Sequence, residues 1–346
     1  MTQRVSQSIV TGLRVFLSPI YPLTMTRWGI LGPGRIAHKF TQDLLTLPDA
    51  QLYAVASTDQ SRADAFAQQY GASHAFGTYE GLLTLPDLDV VYVATPHVKH
   101  HENVLMLLNA GVAVLGEKPF AMNGDQVREM VERARSKRVF LMEALWSRFM
   151  PVLQRAKQLA DDGAIGTITG VRADFGFAAQ FMPEGRLFNK ALGGGSLLDI
   201  GIYPLFWSYL FLGMPKTVRA TAIFGQTGVD EQCGMVLTYP NGELAVLDST
   251  LRARTPCEAF VYGTKGLIRV ASRWHETQSL VLERDGQEPE EIRVPRTTHG
   301  YDYEAAHVMQ CLTEGRTESR IWPLDDSLNL MTLLDTVRAE TGIVYE

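Results

Sequence analysis

Cysteine is scarce in this chain. Its three cysteines, Cys233, Cys257 and Cys311, are odd in number, far apart and form no C-x-x-C pair. That pattern excludes a disulfide framework and points to a reducing, cytoplasmic setting. Long apolar runs are missing too: the longest stretches read as shorter than the roughly 20 residues a membrane span requires. Basic charge is not in excess, with 32 Lys and Arg against 38 Asp and Glu, a net charge of −6 and a pI near 5.8. A polyanion partner such as nucleic acid is therefore not expected, since that role concentrates cations on one face. The basic cluster "RARSKR" (133–138) is interrupted by acidic neighbours and reads as a solvated helix end. His97, His100 and His101 lie close together without cysteine or carboxylate at metal-like spacing, so no metal site is expected. Repeats and low-complexity tracts are absent as well.

At 346 residues with 46% apolar and 20% charged side chains, the chain reads as a globular protein of two domains. Residues 1–24 carry a modest apolar segment broken by Arg14, without twin arginine or a small-residue cleavage site. They read as an extension outside the core, a mis-assigned start or an arm on a partner. From Met25 to about residue 147, short apolar runs alternate with helical stretches: "WGILG", "QLYAVAST", "LDVVYVAT", "AVLGEKP" and "VFLMEAL" are strands between helices. That alternation predicts a doubly wound parallel α/β sheet covered on both faces. From 148 to 346 the texture becomes strand-rich, with Asn241-Gly242 as a two-residue hairpin signal. This predicts an α+β domain with an open, mostly antiparallel sheet and helices on one side, the last helix packing back on the first domain.

"GILGPGRIA" places Gly32, Gly34 and Ala37 in a G-x-G-x-x-A spacing between the first strand and the first helix. Gly32 permits a tight turn, Gly34 lets backbone approach a pyrophosphate, and Arg35 and Ile36 open the helix whose free N–H groups favour anions. The loop therefore fits the dinucleotide fingerprint of a Rossmann domain. At the end of the second strand stand Ser57 and Thr58, with Arg62 close behind. A hydroxyl plus a cation suits the 2′-phosphate of NADP, whereas a carboxylate would repel it. A register shift of one residue would put Asp59 at the ribose and favour NAD.

"GEKPF" brings Glu117 and Lys118 to the carboxyl edge of the same sheet, where open α/β folds bind ligands. "GGGSLLDIGIY" places Asp199 and Tyr203 four residues apart on one helical face. A lysine beside a tyrosine can move a proton from an alcohol. Lowering a phenol from about 10 to about 7 takes about 4 kcal/mol at about 1.36 kcal/mol per unit. A cation about 4 Å away supplies an interaction of that order at an effective dielectric of about 20. Thr95 and Pro96 end another strand, with His97 and His100 facing the cofactor or capping the helix. Trp146 and Arg148 in "EALWSRFMP" offer a flat apolar surface and a donor fork.

These segments, with "ATPHVKHHENVLMLLNAGVAVLGEKPF" and "YEAAHVMQCL", resemble the glucose–fructose oxidoreductase / inositol dehydrogenase (Gfo/Idh/MocA) family over residues 26–346. The chain is most similar to the branch of dimeric dihydrodiol dehydrogenases and NADP-dependent D-xylose dehydrogenases, which carries tyrosine where many inositol-dehydrogenase-type members have histidine. The resemblance implies Lys118 and Tyr203 as a catalytic pair, with Asp199, Trp146, Arg148 and Phe175 near the substrate. It also implies a homodimer through the second domain's open sheet. The expected activity is hydride transfer between NADP and a CH–OH group of a sugar or cyclic diol. A keto-sugar reductase, an oxidoreductase with tightly held cofactor and a non-catalytic NADP-binding regulator stand as alternatives.

Overall fold

The computed structural model describes residues 25–345, so the reading of residues 1–24 falls outside the described residues. The first sheet holds six parallel strands: β1 (Thr26–Leu31), β2 (Ala50–Ala56), β3 (His74–Phe76), β4 (Val90–Val93), β5 (Ala113–Glu117) and β6 (Leu141–Ala144). They run in the order β3-β2-β1-β4-β5-β6, so the order reverses beside β1 and a crevice opens at the carboxyl ends of β1 and β4. Strands β4, β5 and β6 are buried on both faces, which is why they read as unbroken apolar runs rather than alternating ones. Helices α1 (Arg35–Leu44), α2 (Gln60–Tyr70), α3 (His100–Asn109) and α4 (Gly124–Lys137) cover the sheet. The Phe40 ring of α1 lies flat on Tyr92 of β4 at 3.8 Å.

After α5 (Pro151–Asp161) comes an eight-stranded sheet made of β7 (Ile168–Gly176), β8 (Thr217–Phe224), β9 (Asp230–Thr238), β10 (Leu244–Thr250), β11 (Ala259–Gly263), β12 (Gly266–Val270), β13 (Ser279–Arg284) and β14 (Glu290–Arg293). Its order is β14-β13-β12-β11-β7-β10-β9-β8, antiparallel except where β10 runs parallel to β7. The β9–β10 connection differs from the two-residue hairpin expected. Tyr239 N–H donates to Glu243 O at 3.1 Å and Gly242 N–H to Tyr239 O at 3.2 Å, with Gly242 at φ +95°. Pro240 and Asn241 are thus the central residues of the turn, and Gly242 takes the left-handed bulge position that follows it.

One face of this sheet carries α6 (Ile202–Leu212) and the end of α8 (Leu324–Thr341), while α7 (Tyr301–Thr313) lies on α1 and α8 also contacts α4. The reading that no apolar stretch reaches membrane length needs correction. By length and composition alone Lys190–Leu212 would pass for a membrane-crossing stretch, yet 78% of its most apolar window is buried inside the protein and only Ile202–Leu212 of it is α-helix. A helix apolar on all sides is equally what a core position between sheet and helices demands.

Candidate active site

A cavity of about 770 Å³ opens where the crevice of the parallel sheet meets β7 and the segment leading into α6. Its outer half is the glycine loop. Gly32 adopts φ +92°, and a Cβ there would meet the Ala94 carbonyl carbon and oxygen at 3.1 Å. At Gly34 the nearest atom to a Cβ is Ala94 O at 4.0 Å, so a side chain would fill the cradle rather than strike protein. The first turn of α1 has neither a side-chain cap nor an acidic residue. Its free N–H groups face the cavity with Arg35 and Ile36, an arrangement suited to a pyrophosphate.

Ser57, Thr58 and Arg62 line the same end. Asp59 is not among the lining residues: its Oδ1 accepts from Ser61 N (2.8 Å), Ser61 Oγ (2.6 Å) and Arg62 N (3.2 Å), capping α2. The Arg62 guanidinium reaches Pro33 O at 3.5 Å, over the loop itself. This donor set fits a dinucleotide.

The inner half gathers Thr95, Pro96, His97, His100, Glu117, Lys118, Trp146, Phe175, Asp199 and Tyr203 around one space. The histidines diverge in role. His100 bridges Pro119 O and Thr95 O, each at 2.8 Å, which ties two strand ends together. His97 sits near Gly193 O at 3.4 Å, and burial lowers its pKa to about 3, so it stays neutral. His101 faces away, 2.9 Å from Glu129 Oε2. Beneath Lys118, the Glu117 carboxylate accepts from the Lys118 backbone N–H at 3.0 Å and from the Tyr92 hydroxyl.

Lys118 Nζ donates to Asp199 O at 2.8 Å, lies 3.6 Å from Asp199 Oδ1, and sits 4.9 Å from the centre of the Tyr203 ring. Burial alone would lower the ammonium's pKa, but Tyr203, Asp199 and Glu117 outweigh it and the net shift is upward. Burial likewise opposes ionisation of Asp199, yet Lys118 and Arg186 hold its carboxyl well below the usual range. Asp199 lies in a π turn (Leu197–Gly201) that precedes α6, so its four-residue spacing to Tyr203 spans a wider turn than an ordinary helix.

The expected lowering of the Tyr203 pKa is not what the free site produces. Burial pushes the phenol above its ordinary value, and Lys118 and the Trp146 hydrogen bond recover only part of that. The physical reason is the burial of the ring, which outweighs an ammonium that lies 4.9 Å over the ring and is shared with Asp199. Trp146 Nε1 does reach that oxygen, donating to Tyr203 Oη at 2.8 Å.

Arg148 does not line the cavity, contrary to expectation. Trp146–Phe149 is a single 3-10 turn, and with about 3 residues per turn two positions apart point to different sides. Burial lowers the pKa of its guanidinium there, and the charges of Asp326 and Asp161 offset only part of that. Arg186 supplies the cation, with Nη1 2.6 Å from Asp199 Oδ1 and Nη2 3.3 Å from Oδ2. Tyr301 is the second residue missed, its ring stacked on Trp146 at 4.7 Å. His275 is the third, stacked on Phe175 at 4.2 Å behind the cavity wall. An arginine in the loop just before "GGGS" was the available signal for Arg186; Tyr301 and His275 sit in segments with no motif.

A family model described as "Oxidoreductase family, NAD-binding Rossmann fold" matches residues 26–145, and one described as "GFO/IDH/MocA C-terminal domain" matches residues 153–269. The chain is 42% identical over 333 residues to a trans-1,2-dihydrobenzene-1,2-diol dehydrogenase of Xenopus laevis, covering 92% of this chain and 99% of the relative. Among solved structures it resembles the 3-ketoreductase KijD10 of Actinomadura kijaniata, in complex with NADP (TM-score 0.83, 27% identity, 91% of this chain and 98% of that one). It also resembles an aldose-aldose oxidoreductase of Caulobacter crescentus (TM-score 0.84, 26% identity, 92% and 97%).

Proposed function

Since the chain belongs to the GFO/IDH/MocA oxidoreductase family, we propose that it transfers hydride between NADP and a CH–OH group of a sugar or cyclic diol. A trans-dihydrodiol is the first substrate class to test, in view of the 42% identity to the Xenopus laevis enzyme. The observation that carries the reading is the convergence of Lys118, Asp199 and Tyr203 at the inner end of the cavity that begins at the glycine loop. Ser57, Thr58 and Arg62, with Asp59 spent on its helix cap, support NADP over NAD.

When bound, the nicotinamide supplies the hydride acceptor or donor. Tyr203 exchanges the proton: as phenol it protonates a developing alkoxide, and as phenolate it accepts the hydroxyl proton. The Trp146 N–H occupies one lone pair of Oη, which leaves the phenolic O–H free to point at substrate. Lys118 stabilises negative charge on the reacting oxygen, and the Arg186–Asp199 pair fixes the lysine. Phe175 backed by His275 keeps water from that side.

The Tyr203 phenol, whose pKa burial raises further above its ordinary value, is protonated at neutral pH, which favours carbonyl reduction there. The exposed face of the second sheet, with Val236 and Val246 paired across β9 and β10 and Leu244 beside them, fits a second copy of the chain. The three cysteines are free and buried, in keeping with a cytoplasmic enzyme. Initial rates at 340 nm with NADP and NAD across a trans-dihydrodiol, D-xylose and D-glucose test the proposal. NADP-dependent turnover of at least one supports it. NADPH binding with no turnover of any would mark a regulator instead.

A further inference from the structure

Asp43, on the last turn of α1, is 2% exposed and carries more hydrogen bonds than its position requires. Its Oδ1 accepts from the backbone N–H of His299 (3.0 Å) and from His299 Nδ1 (2.8 Å). Its Oδ2 accepts from the N–H groups of Gly300 (2.8 Å) and Tyr301 (2.9 Å). The carboxylate therefore caps α7 from another helix, taking the place of the N-terminal side-chain cap that α7 lacks. The capped end presses on the site. Gly300 sits at φ +108°, where a Cβ would strike Met150 Sδ at 2.7 Å and meet Trp146 Cζ3 at 3.6 Å. Tyr301, the first residue of α7, stacks on the Trp146 indole at 4.7 Å, and that indole donates to Tyr203 Oη at 2.8 Å.

We infer that Asp43 is a positioning residue for proton transfer at Tyr203, acting through the capped start of α7, Tyr301 and Trp146. The inference rests on Tyr203 being the acid/base group. It links the two ends of one helix: the N-terminus of α1 borders the glycine loop, and its C-terminal turn holds the clamp on Trp146. Without the clamp, the indole loses its backing and Nε1 no longer holds the phenolic oxygen. The groups that set the charge at Tyr203 are Lys118, Glu117 and Asp199 beside it, with neutral His275 and Tyr301 across the aromatic wall. Those facing Asp43 are His299 on the α7 cap and Tyr303 and Glu304 in the first turn of α7.

The test is a double-mutant cycle of Asp43→Asn and Trp146→Phe, reading kcat for carbonyl reduction against pH together with NADPH affinity. Each single variant should lower kcat by about tenfold or more, as displacing a catalytic group does. Each should also move the alkaline limb upward, because the Trp146 N–H favours the phenolate. NADPH affinity should stay unchanged in Asp43→Asn, and the double variant should be no worse than Trp146→Phe. Losses that multiply, or an Asp43→Asn limb that stays in place, overturn the inference. If Asp43→Asn does not fold, Tyr301→Leu carries the same limb test through loss of the stack. Tyr203→Phe separates the two ideas: full turnover there removes the acid/base reading, whereas an inactive Tyr203→Phe beside an unmoved Asp43→Asn limb removes the clamp alone.

Discussion

Arg186 grips both carboxylate oxygens of Asp199, at 2.6 and 3.3 Å, while Lys118 sits 3.6 Å from the same group. One carboxylate thus serves two cations, and the lysine also donates to the Asp199 carbonyl at 2.8 Å. Removing the guanidinium in Arg186→Leu should draw Lys118 toward Asp199 and away from the reacting oxygen. The expected loss in kcat/KM is about 10- to 100-fold, the range of a charged hydrogen bond. Steady-state kinetics check it, with Arg186→Lys recovering part of the loss. Unchanged kcat/KM in Arg186→Leu would show that the pair does not support the site.

On the proposed reading, cofactor choice rests on Arg62 and its two hydroxyl neighbours. Arg62→Ala should lower kcat/KM with NADP by about 10- to 100-fold, because a charged hydrogen bond to phosphate contributes about 1.5–3 kcal/mol. Rates with NAD should change little. A parallel fall with both cofactors would place Arg62 elsewhere than at the 2′-phosphate.

The strands β1, β2, β4, β5 and β6 were legible in sequence because a parallel sheet buried on both faces writes itself as apolar runs. The glycine loop, Lys118, Asp199 and Tyr203 were legible because each lies in a motif at a strand or helix end. Arg148 was misread because spacing on a 3-10 turn sends it away from Trp146, and local sequence does not announce that turn. Arg186, Tyr301 and His275 arrive from distant segments by tertiary packing. The sign of the Tyr203 shift needed the burial of the ring, which no pairwise argument about Lys118 contains.

With Tyr203 as the proposed acid, the rate of carbonyl reduction should hold through neutral pH and fall as the phenol ionises at alkaline pH. Lys118 pulls that pKa down, so Lys118→Met should move the alkaline limb upward. It should also lower kcat by about 10²- to 10³-fold, through loss of the charge facing the alkoxide. A pH–rate series on both proteins checks the direction. A limb that moves downward would contradict the assigned electrostatics.

The outer face of the second sheet carries Val236 and Val246 in cross-strand register, 42% and 41% exposed. A carboxylate placed there would be buried without a partner in a dimer. Val246→Asp should therefore convert a dimer into a monomer in light scattering, with the fold retained by circular dichroism. A wild-type monomer, or a dimeric Val246→Asp, would remove this interface.

The most direct test of the central claim is turnover by Tyr203→Phe with NADP and a trans-dihydrodiol, followed at 340 nm beside NADPH binding by fluorescence. The variant should bind NADPH as the wild type does and lose about 10²- to 10⁴-fold in kcat, the contribution of a positioned general acid–base. Turnover close to that of the wild type would contradict Tyr203 as the proton-transfer group.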